Sequence, residues 1–363
     1  NDGKTALFDA ALENSRETAE LLISHGININ EKDNDGKTAL FDAALENSRE
    51  TAELLISHGI NINEKDNDGK TALHIAASHN SKETAKLLIS HGININEKDN
   101  NGQTALFEAA FYNSREIAEL LISHGININE KDNDGQTALF EAAFYNSREI
   151  AELLISHGIN INEKDNDGRT ALHFAASHNS KETAKLLISH GININEKDND
   201  GKTALHIAAS HNSKETAKLL ISHGININEK DNNGQTALFE AAFYNSREIA
   251  ELLISHGINI NEKDNDGQTA LFEAAFYNSR EIAELLISHG ININEKDNDG
   301  RTALHFAALN NRKETAEILI SHGININEKD NDGKTALHIA AFYNNREIAK
   351  LLISHGININ EKR

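Results

Sequence analysis

Histidine and carboxylate are the side chains that could do chemistry in this sequence of 363 residues, which holds 19 histidines, 56 acidic residues and no cysteine. Eleven histidines stand in the tripeptide Ser-His-Gly, the first being His25. Ser24 and His25 are adjacent in the sequence, and the same pair recurs along it in each Ser-His-Gly tripeptide. A catalytic triad requires a third group that orients the histidine base, and no such group follows the pair here. An imidazole near a helix C-terminus can instead hydrogen-bond the last carbonyls. We therefore predict that these histidines end helices and that the protein is not an enzyme.

Calcium binding is the second chemistry to consider. Oxygen-bearing side chains fill most ligand places of an EF-hand-like window, at Glu130, Asp132, Asp134 and Glu141. Glutamate stands at the first place of this window instead of aspartate. Similar windows elsewhere in the sequence carry Ile75 or Phe174 at the last place. The last place also falls inside a predicted helix, whereas an EF-hand keeps its ligands in a loop between two helices. We therefore expect no metal site and no cofactor.

Charge and composition restrict the partners. The formal net charge of −21 disfavours nucleic acid, and no apolar run approaches the roughly 18 residues of a membrane span. Every glycine belongs to one of two repeated positions, so none is left for a phosphate-binding loop and we expect no small-molecule substrate. The sequence lacks the Asn-X-Ser/Thr pattern, which favours a cytoplasmic or cytoskeleton-associated protein. Because it begins with Asn1, we expect it to be a segment of a longer chain.

A single short period organises the whole sequence. Gly3 recurs as Gly36, Gly69 and onward at equal steps to Gly333, so eleven copies fill the 363 residues without linkers or evident capping repeats. We predict a single repeat domain over 1–363, with the copies at 1–33, 34–66, 67–99, 100–132, 133–165, 166–198, 199–231, 232–264, 265–297, 298–330 and 331–363.

Each copy predicts two short helices. Thr5 is placed as the N-cap of the first, which continues through good helix formers to Ala11. Asn14-Ser15 is a second cap signal, and the helix that follows carries an apolar stripe. Gly26 is placed to end this second helix in the left-handed conformation.

An extended finger follows the second helix. Ile27-Asn28-Ile29-Asn30 alternates apolar and polar residues, and Asp33-Asn34-Asp35-Gly36 is a strong turn sequence. One copy alone cannot bury Leu7, Leu22 and Ile27, but a neighbouring copy on each side can.

These residues resemble the ankyrin repeat. The third copy, from Asp68 to Ala77, has the sequence DGKTALHIAA, which departs from the family signature in replacing proline by alanine. Phenylalanine replaces the signature histidine in six copies, at Phe8, Phe41, Phe107, Phe140, Phe239 and Phe272. The resemblance implies an all-α repeat solenoid of stacked helix-turn-helix repeats with short extended hairpin fingers, forming a curved array that binds proteins.

A longer period of four repeats is superimposed on the first. Residues 100–165 recur verbatim at 232–297, and 67–99 recur at 199–231. The copies differ most at two adjacent positions near the end of the first helix. The candidate protein-binding residues at these positions are Leu12, Glu13, Leu45, Glu46, His79, Phe111, Tyr112, Phe144, Tyr145, His178, His211, Phe243, Tyr244, Phe276, Tyr277, Phe342 and Tyr343.

Two interpretations of the aromatic pairs remain open. They pack against the next repeat, or they form a contact patch that recurs every four repeats beside an acidic stretch. The second interpretation favours a non-enzymatic protein–protein interaction scaffold that associates with itself or with a periodic filament. The alternative is an adaptor that holds one globular protein on its concave face. Recent duplication without functional meaning would give the same long period.

Overall fold

The computed structural model describes residues 2–362, which form helices and turns without a β-strand in that range. The helices are α1 Ala6–Leu12, α2 Arg16–Ser24, α3 Ala39–Leu45, α4 Arg49–Ser57, α5 Ala72–Ser78, α6 Lys82–Ser90, α7 Ala105–Phe111, α8 Arg115–Ser123, α9 Ala138–Phe144, α10 Arg148–Ser156, α11 Ala171–Ser177, α12 Lys181–Ser189, α13 Ala204–Ser210, α14 Lys214–Ser222, α15 Ala237–Phe243, α16 Arg247–Ser255, α17 Ala270–Tyr277, α18 Arg280–Ser288, α19 Ala303–Leu309, α20 Lys313–Ser321, α21 Ala336–Phe342 and α22 Arg346–Ser354.

The chain divides into two compact units. The first consists of Asn1–Ala175 and Glu182–Ile192, and the second of Ala176–Lys181 and Asn193–Arg363. Within each unit the first helix of a repeat packs on the first helix of the next, as α1 does on α3 and α13 on α15. Second helices stack in the same way, as α2 does on α4 and α14 on α16. This arrangement confirms the predicted all-α solenoid of stacked helix-turn-helix repeats.

Burial of the apolar stripe depends on these neighbours. Leu21 in the first repeat is 59% exposed, whereas the equivalent Leu54 in the second repeat is 5% exposed because helices flank it on both sides. The predicted core positions Leu22 and Ile27 are half-buried in the first repeat, and Leu55, the equivalent of Leu22, is fully buried in the second. Each repeat therefore completes the core of the next, as expected for a linear array.

The ends of the second helices follow the sequence prediction. Gly26 adopts φ +82°, and the N–H of Ile27 donates to the Leu22 carbonyl at 3.2 Å, which closes the helix end. His25 Nδ1 lies 2.8 Å from the Leu21 carbonyl oxygen. The predicted role of the Ser-His-Gly histidine as a helix-end residue is confirmed at this position.

The asparagine between the two helices differs from its predicted role as a cap. Asn14 adopts a left-handed conformation with φ 50°, and Ser15 at the N-cap makes no side-chain capping bond. Asn14 Oδ1 instead accepts a hydrogen bond from the N–H of Thr51 in the next repeat, at 3.2 Å. Asparagine tolerates the left-handed conformation better than other residues with a side chain, which leaves its amide free to join adjacent repeats.

The finger is a tight turn rather than a pair of strands. The N–H of Asp33 donates to the Lys37 carbonyl at 2.9 Å, and Asp33 Oδ1 accepts the N–H of Lys37 at 2.8 Å. The N–H of Asn34 donates to the Asp2 carbonyl of the preceding repeat at 2.9 Å. Gly3 has φ +80°, and a Cβ there would lie 2.7 Å from Asn34 Oδ1. Glycine is therefore required where successive finger tips meet.

Phenylalanine and histidine copies differ inside the first helix. In the third repeat His74 Nδ1 accepts the N–H of Thr71 at 3.1 Å and lies 2.9 Å from the Thr71 hydroxyl. His74 Nε2 contacts the Gln103 carbonyl of the next repeat at 3.1 Å. In the six phenylalanine copies the buried threonine hydroxyl has no hydrogen-bond partner, at Thr5, Thr38, Thr104, Thr137, Thr236 and Thr269. Phenylalanine has no polar atom to make the contact that His74 makes with Thr71.

This difference predicts opposite effects of one substitution at two equivalent positions. Thr71→Val removes a partnered hydroxyl and should lower the free energy of unfolding by about 1 kcal/mol. Thr104→Val removes a buried hydroxyl without a partner and should leave stability unchanged or raise it. Urea denaturation followed by circular dichroism measures both variants, and equal losses at the two positions would contradict the prediction.

Candidate functional site

The predicted aromatic pairs lie at the ends of first helices, and most of their rings reach solvent. Phe111 is 38% exposed, Tyr112 54% and Tyr145 43%, while Phe144 is half-buried. Both interpretations of the pairs stay open, because Phe111 and Phe144 contact rings of the next repeat while Phe111, Tyr112 and Tyr145 also reach solvent.

In the first unit the rings form a continuous ladder. The Phe111 ring centroid lies 4.5 Å from Tyr112 and 4.0 Å from Tyr145 of the next repeat. Tyr145 lies 4.7 Å from Phe144, and Phe144 lies 6.3 Å from Phe174 in the repeat after that. Tilted rings at these separations attract one another beyond the area that they bury. We call Tyr112, Phe111, Tyr145, Phe144 and Phe174 the first aromatic ladder.

The second unit contains the same arrangement. Phe243 lies 4.5 Å from Tyr244 and 4.0 Å from Tyr277, which lies 4.7 Å from Phe276. The Phe276 ring lies 6.3 Å from Phe306. Tyr244, Phe243, Tyr277, Phe276 and Phe306 form the second aromatic ladder.

The last ring of each ladder, Phe174 or Phe306, was not among the residues predicted from the sequence. Phe174 and Phe306 lie earlier in their helices than the predicted pairs, at the position where other copies carry an acid or isoleucine. Arg169 and Arg301 lie over these two rings at 5.0 and 4.8 Å from their centroids. Phenylalanine occurs at this position in two copies that lie four repeats apart, and that recurrence was the available signal.

The last aromatic pair shares a cleft with Phe306, the last ring of the second ladder. Phe342 is 74% exposed and its ring lies 5.0 Å from Tyr343. Both line a cleft of about 560 Å³ together with Phe306, Arg301 and Lys334.

The remaining predicted residues contribute less to any shared surface. Leu12 and Leu45 are half-buried, and Glu13 and Glu46 are exposed. The histidines at the same position, His79, His178 and His211, are exposed. Nδ1 of His79 lies 2.8 Å from the Ser78 hydroxyl, so the Ser-His copies are locally bonded at this site. Burial, followed by the nearby His211, lowers the pKa of His178.

Beside the ladders runs a row of contacts between successive repeats. The residue that follows the finger-tip glycine reaches the acid near the start of the next repeat's first helix. Three such pairs are ion pairs, Lys4–Asp42 at 2.9 Å, Lys70–Glu108 at 2.5 Å and Lys202–Glu240 at 2.6 Å. This row of contacts was not predicted from the sequence. The two partners of each pair lie in different repeats, farther apart along the chain than one whole repeat.

Two members of this row lack the lysine. Gln103 Nε2 lies 3.4 Å from Glu141 Oε1, and Gln235 Nε2 lies 3.3 Å from Glu273 Oε1. Burial, the nearby Asp132 and then Glu108 raise the pKa of Glu141 to about 7, against which the Gln103 hydrogen bond acts weakly. Burial and then Asp264 raise the pKa of Glu273 to about 7 as well.

Glu141 and Glu273 each affect the pKa of the tyrosine four residues later in the sequence. Burial, followed by the charge of Glu141, raises the pKa of Tyr145, and Tyr277 is affected in the same way by Glu273. Residues four apart on a helix share one face, so the aromatic ladder and the carboxylate form one surface.

The residues of the calcium window make other contacts in the structure. Within residues 2–362 no three His, Asp or Glu side chains are grouped to hold a metal ion. Glu130 forms an ion pair with Lys98 at 2.6 Å, and Glu141 lies in α9. The described helices are all too short and too polar to cross a bilayer.

Comparison with known families gives one match along the chain. The family model described as ankyrin repeats (3 copies) matches residues 1–66, 61–132, 97–165, 126–198, 193–264, 228–297 and 295–363. No curated protein matches the sequence.

The raised carboxyl pKa values predict a pH-dependent cost to folding. The pKa of Glu141 rises from 4.5 to about 7 in the fold, so the folded chain binds a proton that the unfolded chain releases as pH rises between these values. Ionised Glu141 and Glu273 therefore destabilise the fold above pH 7, and this cost fades as pH falls toward 4.5. Glu141→Gln with Glu273→Gln should raise the free energy of unfolding at pH 8 by roughly 2 kcal/mol per site, with most of the gain lost at pH 4.5.

Glu108→Gln with Glu240→Gln is the matched control, since it breaks the ion pairs with Lys70 and Lys202 and should lower stability at pH 8. Urea denaturation at the two pH values measures both double variants. A destabilised Glu141→Gln, Glu273→Gln protein at pH 8 would contradict the assignment.

Proposed function

The chain belongs to the ankyrin-repeat family, whose repeats bind proteins, and we propose from this premise that it is a non-enzymatic scaffold that associates with copies of itself or with a periodic filament. The observation that carries this proposal is the recurrence of one aromatic ladder in each unit, with its first four rings in identical sequence blocks four repeats apart and its tyrosines exposed. A repeated surface of one kind suits a partner that is itself repetitive.

The exposure of the ladder rings supports a role in binding. Aromatic side chains dominate the energetics of protein interfaces when a partner covers them, because each buries a large area with few rotatable bonds. Tyr112 and Tyr244 are 54% and 55% exposed, so a partner would still bury about half of each side chain. The tilted packing of neighbouring rings holds them in place before binding, which lowers the entropy lost on association.

The residues that resemble catalytic groups support the non-enzymatic part of the proposal. Ser24 donates to the Leu21 carbonyl at 2.8 Å, and His25 contacts the same carbonyl. Both side chains are thus occupied at a helix end. The same bonds recur at Ser57 and His58 in the next repeat.

An adaptor for one globular protein is the second candidate. The cleft of about 560 Å³ beside Phe342 and Tyr343 favours it, because this part of the surface is not repeated elsewhere in the four-repeat pattern. An adaptor would remain monomeric by itself, whereas a self-associating scaffold would not.

Association should therefore depend on concentration and on the ladders. Multi-angle scattering and negative-stain imaging at pH 7.5 and 5.5 should show bundles or tubes that grow with concentration, with an axial repeat of four ankyrin units. A monomer at every concentration and both pH values would contradict self-association, and the adaptor would then be the better description.

Copies within the chain supply a matched variant. Replacing the four pairs Phe111-Tyr112, Phe144-Tyr145, Phe243-Tyr244 and Phe276-Tyr277 by Ser-His uses residues that occur at the same position in Ser78-His79. The variant should fold and lose association, because it keeps the helix ends but removes the exposed rings. Retention of the assemblies would show that another surface joins the copies.

A further inference from the structure

The aromatic ladders lie beside the two places in the described chain where an acid of the inter-repeat row meets glutamine, and not lysine, from the preceding repeat. Lys70 is the equivalent of Gln103 in the preceding repeat, and its ammonium lies 2.5 Å from Glu108, the equivalent of Glu141. Gln103 supplies only an amide hydrogen bond at 3.4 Å to Glu141. Glu141 therefore occupies the place of the acid in these ion pairs, but its partner in the preceding repeat is glutamine and not lysine.

We propose that each ladder, with Glu141 in the first unit and Glu273 in the second, binds an arginine or lysine side chain from a basic segment of a partner protein. This inference rests on the proposed scaffold function and names the chemistry of its partner. The cation would take the place that Lys70 and Lys202 fill beside Glu108 and Glu240.

Aromatic rings on the same face favour this occupant. Tyr145 is the C-cap residue of the helix that contains Glu141, and its N–H donates to the Glu141 carbonyl at 2.9 Å. Its ring centroid lies 4.0 Å from that of Phe111. Exposed tyrosine and phenylalanine faces attract a guanidinium or ammonium group. The structure already uses this contact within the chain, where Arg169 lies 5.0 Å from the centroid of Phe174, the last ring of the first ladder.

An uncharged apolar occupant fits less well. It would cover Glu141 and remove water from a carboxylate that has no cation, which is costly. Burial, Asp132 and Glu108 raise the pKa of Glu141, and a cation beside this carboxylate would favour its ionised form.

Charge around the ladders adds attraction over a longer range. The two-repeat blocks 100–165 and 232–297 carry formal charges of −3 and −4 in their successive repeats, and the repeats that precede and follow each block are neutral or nearly so. An acidic stretch of this kind speeds the approach of a basic partner and selects against an acidic one.

A fluorescence titration can test the proposal on the full chain. The sequence has no tryptophan and five tyrosines, of which Tyr112, Tyr145, Tyr244 and Tyr277 belong to the ladders. The probe is a synthetic arginine–glycine peptide, and its control is the same peptide with citrulline, which keeps the shape and removes the charge. At pH 8 and about 0.15 M salt the arginine peptide should perturb tyrosine emission and the citrulline peptide should not.

Two double variants then locate the binding. Glu141→Gln with Glu273→Gln removes the carboxylates, and Gln103→Lys with Gln235→Lys supplies the missing cation from the chain itself. Each should weaken binding of the arginine peptide by at least roughly tenfold. Glu119→Gln with Glu251→Gln changes the net charge equally within the same two-repeat blocks, on exposed second-helix glutamates paired with Arg115 and Arg247, and should keep the affinity of the unmodified chain.

Each outcome decides the matter. Equal weakening in all three double variants would show attraction to overall negative charge and would overturn the site. No change of emission with either peptide would also overturn it, while assemblies seen by scattering would leave the scaffold function standing. Absence of those assemblies in the unmodified chain, with arginine binding intact, would instead overturn self-association and keep the site.

Discussion

Each repeat buries its apolar helix faces only against the repeats beside it, and every other feature of the structure depends on that constraint. Leu54 is covered because α2 and α6 flank its helix, and Leu21 is exposed because only one neighbour covers α2. Stacking at the fixed interval of one repeat brings the same side chains together at each junction. Contacts between successive finger tips, including the bond from the N–H of Asn34 to the Asp2 carbonyl, are consequences of this register.

Because the register repeats, a change in one copy acts at one junction. Histidine at position 74 bonds Thr71 in its own repeat and the Gln103 carbonyl in the next, so it joins two repeats as well as shaping a helix start. Phenylalanine at Phe107 replaces those bonds by buried ring area and leaves the Thr104 hydroxyl without a partner. The fold tolerates both because hydrophobic burial at the junction is common to them. Variation that does not disturb stacking is therefore free to alter the surface.

Most of the fold could be predicted from the sequence, because the period, the glycines and the apolar stripe are local signals that recur in phase. The roles of Gly26 and His25 follow from helix-end chemistry that acts within a few residues. The predictions for the finger and for Asn14 were less accurate, since the N–H of Asn34 and the side chain of Asn14 bond to a neighbouring repeat and a single copy does not show these bonds. The aromatic pairs were found by comparing copies. Their ladder and the Gln103–Glu141 contact were not, because both depend on which residue faces which across a junction.

The same geometry sets the smallest piece of sequence that can carry a site of this kind. Glu141 takes its partner Gln103 from the preceding repeat, and Tyr145 takes its ring neighbour Phe111 from that same preceding repeat, so one repeat contains only half of the surface. The identical blocks 100–165 and 232–297 are each two repeats long and contain both halves. If single repeats had been copied, Gln103 and Phe111 would face other residues in the next repeat. Gln136 is an example, because the repeat after it carries Phe174, and not an acid, at the position equivalent to Glu141. Duplication in units that include a whole junction preserves the first four rings of the ladder and its carboxylate together, so a history of duplication and a recurring contact surface are compatible explanations of the four-repeat period.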